Sequence, residues 1–188
     1  MRGQRVGSTI AAVFGLIFVL VNTGALLPAA AWILRVLAII AFAAILLVVF
    51  RIGRATPAED KPDGTARASS PFGRSYWLIV AVEVVALFGG VRLLTGPLGH
   101  PQGGVAWVSF VVGVHFFALA AVFRAPYFNW LAAAVTLCGS IGLILVFAGA
   151  AQVWVDLVGG VIPGALLLAF GWWGASRTHA ASQQQPVR

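Results

Sequence analysis

Six apolar segments, each long enough to cross a lipid bilayer, dominate this sequence. They lie near residues 8–27, 30–50, 75–95, 104–123, 127–149 and 152–174. Because lipid offers the backbone no hydrogen-bond partners, segments of this length must be helical, and they lack the alternating pattern of barrel strands. Hydrophobic residues make up 61% of the chain and charged residues 9%, which is too apolar for a soluble domain. The sequence therefore predicts an all-α integral membrane protein, a single-domain bundle of six transmembrane helices.

Basic residues mark alternate ends of these helices. Arg2 and Arg5 precede the first segment, residues 51–74 form a basic connection, Arg124 follows the fourth segment and Arg177 follows the sixth. The other three connections contain no Lys or Arg. By the positive-inside rule, both termini are cytoplasmic. The same rule accounts for the net charge of +7, so we expect the lipid bilayer and not nucleic acid as a partner.

Two stretches between and after the helices do not resemble folded domains. Residues 51–74 are rich in Pro, Gly, Ser and charge and predict a flexible cytoplasmic linker, and residues 175–188 predict a disordered cytoplasmic tail. The use of many Ala, Gly and Arg residues with a single Lys is typical of a bacterial protein, which indicates the bacterial cytoplasmic membrane. A second interpretation of the N-terminus is a cleaved secretory signal that ends at the small residues 28–31. Cleavage would leave five spans, but the length of the first apolar segment favours a retained helix.

A polar pair is predicted near the middle of the membrane. A charged side chain at this depth costs roughly 2.5–3.5 kcal/mol on insertion scales, so it usually faces protein or water. With about 1.5 Å of rise per residue, Glu83 and His115 both lie roughly 16–20 Å from the outer surface and are expected to pair. Tyr76 lies seven residues before Glu83, on the same helix face. The pair would either handle protons and bind substrate, or act as a hydrogen-bonded pair that fixes helix packing.

A second layer of charge is predicted nearer the outer surface. Arg35 and Asp156 lie roughly 8 Å deep and Arg92 lies slightly shallower, so we expect Asp156 to pair with Arg35 or Arg92. Gln152 shares a helix face with Asp156. This layer would be an ion pair between helices or, because two Arg face one Asp, an anion site.

The sixth segment contains features that disturb a regular helix. Pro163 lacks a backbone N–H and frees the carbonyl group of Gly159, which predicts a kink. Gly160 and Gly164 permit close helix approach, either within the chain or in a homo-oligomer.

Nothing in the sequence indicates a metal, a cofactor or a catalytic site. Cys138 is the single cysteine, and His115 has Glu83 alone as a neighbouring ligand at its depth. The chain has no H-E-x-x-H, G-x-S-x-G or P-loop motif, so we favour a protein without enzymatic activity.

Three functions remain open from the sequence. The first is a small permease or channel-like transporter with a polar site on the third, fourth and sixth helices, acting on a small molecule or ion. The second is a non-catalytic scaffold or accessory subunit whose buried charges serve assembly. The third is a lipid-binding or lipid-modifying protein that uses the Arg residues.

Overall fold

A computed structural model describes residues 2–55, 74–122 and 128–183 of the chain. Within these ranges the chain is helical apart from short turns and contains no strand. The α-helices are α1 (Arg2–Asn22), α2 (Pro28–Ala55), α3 (Arg74–Thr95), α4 (Gly104–Val122), α5 (Phe128–Phe147), α6 (Gln152–Asp156) and α7 (Ile162–Gln183). A 3₁₀ turn at Pro101–Gly103 precedes α4, and a π-helical segment at Leu157–Val161 joins α6 to α7.

Within the described residues, five helical stretches are long and apolar enough to cross a membrane, which is compatible with the predicted class of an all-α, multi-pass membrane protein. They are Pro28–Arg51, Trp77–Thr95, Pro101–Val122, Phe128–Phe147 and Gln152–Arg177. The first helix offers a shorter apolar stretch, Gly7–Asn22. It ends earlier than the predicted segment 8–27 because the chain turns after Asn22, whose side-chain amide donates to the carbonyl oxygen of Phe18.

The described helices extend into both of the stretches that were predicted to be irregular. α2 continues to Ala55 and α7 continues to Gln183. The extension of α7 has a local reason, since residues 175–183 contain no Gly or Pro to end the helix. Most of the predicted linker, residues 56–73, and the last five residues of the predicted tail lie outside the described residues.

The last span lies at the centre of the bundle. One face of α7 packs against α1 and α2, and the opposite face packs against α5. The first interface buries the apolar residues Ala12, Val19, Ala38, Ile45, Leu168 and Ala175. The second buries Leu131, Val135 and Leu167. Beyond α5, α4 forms the next layer, and α3 packs principally on the outer side of α4. α3 is therefore the most peripheral of the described helices.

Glycine residues allow α1 and α7 to cross closely. A Cβ atom on Gly15 would lie 2.7 Å from the carbonyl oxygen of Gly164, and one on Gly164 would lie 2.8 Å from that of Gly15. Asn22 lies against Gly160 in the same interface. Since higher residue numbers in α1 meet lower ones in the last span, the two helices are antiparallel. The predicted close-approach face of Gly160 and Gly164 is thus used within the chain.

The predicted disturbance before Pro163 takes the form of the π-helical segment. Proline has no N–H to donate to the carbonyl oxygen of Gly159, four residues earlier. The hydroxyl group of Ser109 on α4 donates to this oxygen instead. The side chains of Ser109 and Pro163 are fully buried, so this hydrogen bond provides a donor for the carbonyl oxygen of Gly159 inside the bundle.

Candidate functional site

The pairing of Glu83 with His115 that the sequence predicts is present. The Oε2 atom of Glu83, on α3, lies 3.1 Å from the Nδ1 atom of His115, on α4. The side chains are 19% and 13% exposed, respectively, so most of each is shielded. The contact has the distance of an ion pair, but Nδ1 makes no aligned hydrogen bond with any residue in the described ranges. This imidazole nitrogen therefore lies beside a carboxylate oxygen without forming an aligned hydrogen bond to it.

Both members of the pair lie deep within their spans. Glu83 is six residues after Trp77 and twelve before Thr95, which places it about 9 Å and about 18 Å from the two ends of that stretch. His115 is eleven residues after Gly104, at which α4 begins, or about 16 Å along the helix. The matching depths explain why the two side chains meet.

A groove runs between α3 and α4 with this pair in its wall. Its cavity volume is about 360 Å³. The described lining residues all belong to these two helices: Leu78, Ile79, Val82, Glu83, Ala86, Trp107, Phe110, Val111, Val114, His115 and Ala118. Because α3 is the outermost helix, the groove opens on the side of the bundle, where lipid would lie. Glu83 and His115 are the ionisable groups in an otherwise apolar wall.

Trp107 fixes one end of the groove. Its indole Nε1–H donates to the carbonyl oxygen of Ala86 on α3 at 2.9 Å. The ring lies directly against Gly90, where a Cβ atom would overlap it, and its centroid is 5.7 Å from that of Phe110. The neighbouring Gly89 has no atom within 4 Å of its Cβ position among the described residues. Gly90 therefore provides the space that Trp107 occupies.

One face of α3 is turned towards α4, as its residue spacing predicts. Glu83 contacts His115, and Gly90 contacts Trp107. Tyr76, the third residue predicted on this face, lies in the first turn of α3, and its side chain is outside the part of the chain that the structure describes. Its role stays a prediction.

The predicted pairing of Asp156 with Arg35 or Arg92 is wrong. The Oδ1 atom of Asp156 accepts a hydrogen bond from Nε2 of Gln152 at 2.6 Å, within its own helix. The Nε–H of Arg35 donates to Oγ1 of Thr23 at 2.7 Å, and Arg92 is exposed near the end of α3. The arrangement of helices explains the error: α2 packs on α1 and α7, whereas α3 packs on α4. Residues at one depth are thus held on different sides of the bundle.

Two contacts of this region are absent from the predictions, although depth alone would have suggested them. Trp107 and Gly90 both lie about 5–8 Å from the loop that joins α3 to α4. Ser109 and Gly159 lie about 8–10 Å from the corresponding ends of their spans. The matching depths could therefore have been read from the sequence. They were missed because these contacts are made by glycine residues and one hydroxyl group, whereas the predictions considered charged residues.

The described residues contain no group of three or more His, Cys, Asp or Glu side chains that could hold a metal ion. Cys138, on α5, is a free thiol of intermediate burial. The ionisable side chains that the structure brings together in this region are those of Glu83 and His115, which can bind a ligand and exchange protons.

No protein-family model, curated protein sequence or solved structure matches this chain.

Proposed function

We propose that the protein is a small permease of a bacterial cytoplasmic membrane, which exchanges a proton at Glu83 and His115. Its substrate would be a small molecule with an apolar body, which enters from the bilayer through the groove between α3 and α4. The observation that carries this proposal is the 3.1 Å contact between the two side chains in the wall of a groove that opens sideways. Ionisable groups within membrane spans are costly and usually functional.

We further propose that the chain crosses the membrane six times with both termini in the cytoplasm. The distribution of Lys and Arg supports this orientation. The packing of α1 supports its retention as the first span, since it runs antiparallel to the last span and contributes Ala12 and Val19 to the buried core. A signal peptide that is removed would leave the facing surface of α7 uncovered.

The chemistry follows from the charge of the pair. With one proton shared between carboxyl group and imidazole the pair is neutral, and without it the pair carries one negative charge. In apolar surroundings an uncompensated charge is expensive. A substrate that alters the charge in the groove will therefore change the number of protons on the pair, which is the basis of coupled transport.

An assembly role is the second candidate, and a specific observation favours it. Because α3 packs principally on α4, the Glu83–His115 contact also helps to hold α3 in place. The lipid-binding alternative depended on a layer of Arg residues, and Arg35 is instead engaged with Thr23. The experiment must therefore separate proton exchange from helix attachment.

The test is a pH titration of the purified protein in lipid by difference infrared spectroscopy, comparing wild type with Glu83→Gln. We expect a carboxyl band that disappears in Glu83→Gln and whose intensity changes as the pH is varied through neutrality. The midpoint should move when His115 is replaced by Asn, because the imidazole is the ionisable neighbour of this carboxyl group.

Asp156→Asn is the matched control, since it removes another membrane carboxyl group that lies outside the groove. Its spectrum should retain the titrating band. A different result would overturn the permease proposal: the Glu83 carboxyl group keeps one protonation state over the same pH range, and Glu83→Gln lowers thermal stability. The pair would then serve assembly.

A further inference from the structure

We infer that the substrate of this groove is a lipophilic organic cation, which binds in exchange for one proton of the Glu83–His115 pair. This inference rests on the proposed function and adds the charge and shape of the substrate to it.

The charge of the groove selects against anions. Among its described lining residues, Glu83 is the one acid and His115 the one base, and no Lys or Arg is present. Two further ionisable side chains that the structure describes near α3 and α4 do not line the groove. Arg92 lies on α3 nine residues after Glu83, and His100, before α4, contacts Gln102 and the ring of Phe147. A bound anion would face the carboxylate without a fixed counter-charge, whereas a cation compensates it.

The walls of the groove suit a cation with an apolar body. Trp107 and Phe110 present aromatic rings at one end, and aromatic faces attract organic cations. Apart from Glu83 and His115, the remaining described lining residues are aliphatic, so they can pack against hydrocarbon or phenyl groups. The cavity volume of about 360 Å³ is in the range of small-molecule sites. Since the groove opens on the side of the bundle, such a molecule reaches it from the bilayer.

The exchange of charge is balanced. When the pair is neutral, one proton resides on the carboxyl group or the imidazole. A bound monovalent cation favours the state in which the pair carries one negative charge, so one proton leaves as one cation enters. The occupied groove and the protonated empty groove then have the same net charge of zero.

The test uses two probes of nearly the same shape and opposite charge, tetraphenylphosphonium and tetraphenylborate. Their binding to the detergent-purified full chain is measured by titration calorimetry in two buffers that differ in ionisation enthalpy, which counts released protons. We expect one tetraphenylphosphonium ion to bind per chain. At a pH at which the empty pair is neutral, binding should release about one proton. Tetraphenylborate should bind at least about tenfold more weakly.

Two pairs of variants locate the site. Glu83→Gln preserves the shape of the side chain and should weaken tetraphenylphosphonium binding at least about tenfold, whereas Asp156→Asn should not. Gly90→Ala pushes the Trp107 ring from its position and should weaken binding, whereas Gly89→Ala adds a methyl group where no described atom lies nearby. The second pair tests the groove without changing any charge.

The outcomes separate this inference from the proposed function. If tetraphenylborate binds as tightly as tetraphenylphosphonium, or if Glu83→Gln retains full affinity, the inference is overturned. Binding of the cation without proton release overturns the exchange. If the Glu83 carboxyl group titrates with His115 but the cation does not bind, the cation inference fails and the proton-handling proposal stands. If neither occurs, both fail.

Discussion

Ser109 donates its hydroxyl hydrogen to the carbonyl oxygen of Gly159, and this bond joins α4 to the π-helical segment. It supplies the donor that Pro163, four residues after Gly159, lacks. Because the bond is buried in a span, water cannot replace it. A side chain on one helix thus completes the backbone of another.

Removal of this hydroxyl group should destabilise the bundle. In Ser109→Ala, the carbonyl group of Gly159 loses the Ser109 donor, and we expect a loss of about 1 kcal/mol in the free energy of unfolding. Unfolding of the protein by SDS in mixed micelles, followed by circular dichroism, measures this loss.

Ser140→Ala is the matched control for this substitution. The hydroxyl group of Ser140 donates to the carbonyl oxygen of Thr136 in its own helix at 2.8 Å, so its removal does not disconnect two helices. An equal loss of stability in both variants would show that the bond between helices contributes nothing beyond a local hydroxyl group.

Gly164 should tolerate no side chain, whereas Gly89 should accept one. In Gly164→Ala the new Cβ atom would lie 2.8 Å from the carbonyl oxygen of Gly15, so α1 must move away from α7. We expect a loss of about 1–3 kcal/mol in the free energy of unfolding. Gly89→Ala meets no described atom within 4 Å and should change stability by less than about 0.5 kcal/mol. The same SDS titration compares them, and comparable stability of the two variants would contradict the close crossing.

Arg35 should contribute to stability more than Arg92 does. The Nε–H of Arg35 donates to Thr23, whose side chain is fully buried at the turn after α1, whereas Arg92 is exposed. We expect Arg35→Leu to cost about 1.5–3 kcal/mol in the free energy of unfolding, and Arg92→Leu to cost much less.

A double-mutant cycle with Thr23→Val isolates this contact. If the bond accounts for the effect, Arg35→Leu should cost little more in the Thr23→Val background. Additive losses would assign the stabilisation by Arg35 to its packing instead.

The sequence predicts the helices well because helix formation here depends on short, continuous stretches of apolar residues. Apolar stretches of spanning length must be helical in lipid, and the structure begins α2, α3 and α4 within two residues of the predicted segments. Depth is also local, since it depends on the count of residues from the helix end. It correctly brings together Glu83 and His115 because their helices are consecutive and therefore adjacent.

The position of each helix in the bundle depends on contacts between residues that are far apart in the sequence. The predictions about which helices are neighbours fail for this reason. Depth places Asp156 and Arg35 in one layer but does not say which helices are neighbours. The central place of α7 depends on close glycine contacts with α1, which is far away in the sequence. The groove likewise depends on α3 being outermost, which charge and hydropathy do not reveal.

The proposed orientation predicts which residues can be labelled from each side of the membrane. In a Cys138→Ala background, single cysteines in place of Gln102 or Ala150 should react with an impermeant maleimide on intact cells, because both lie in connections without Lys or Arg. A cysteine in place of Ser69, in the basic connection, should react only after the cells are permeabilised. A tag placed before Met1 should remain on the purified protein and be protected from external protease, because α1 is retained as a span. Labelling of the Ser69 position from outside would reverse the orientation, and loss of the tag would show that the chain has five spans.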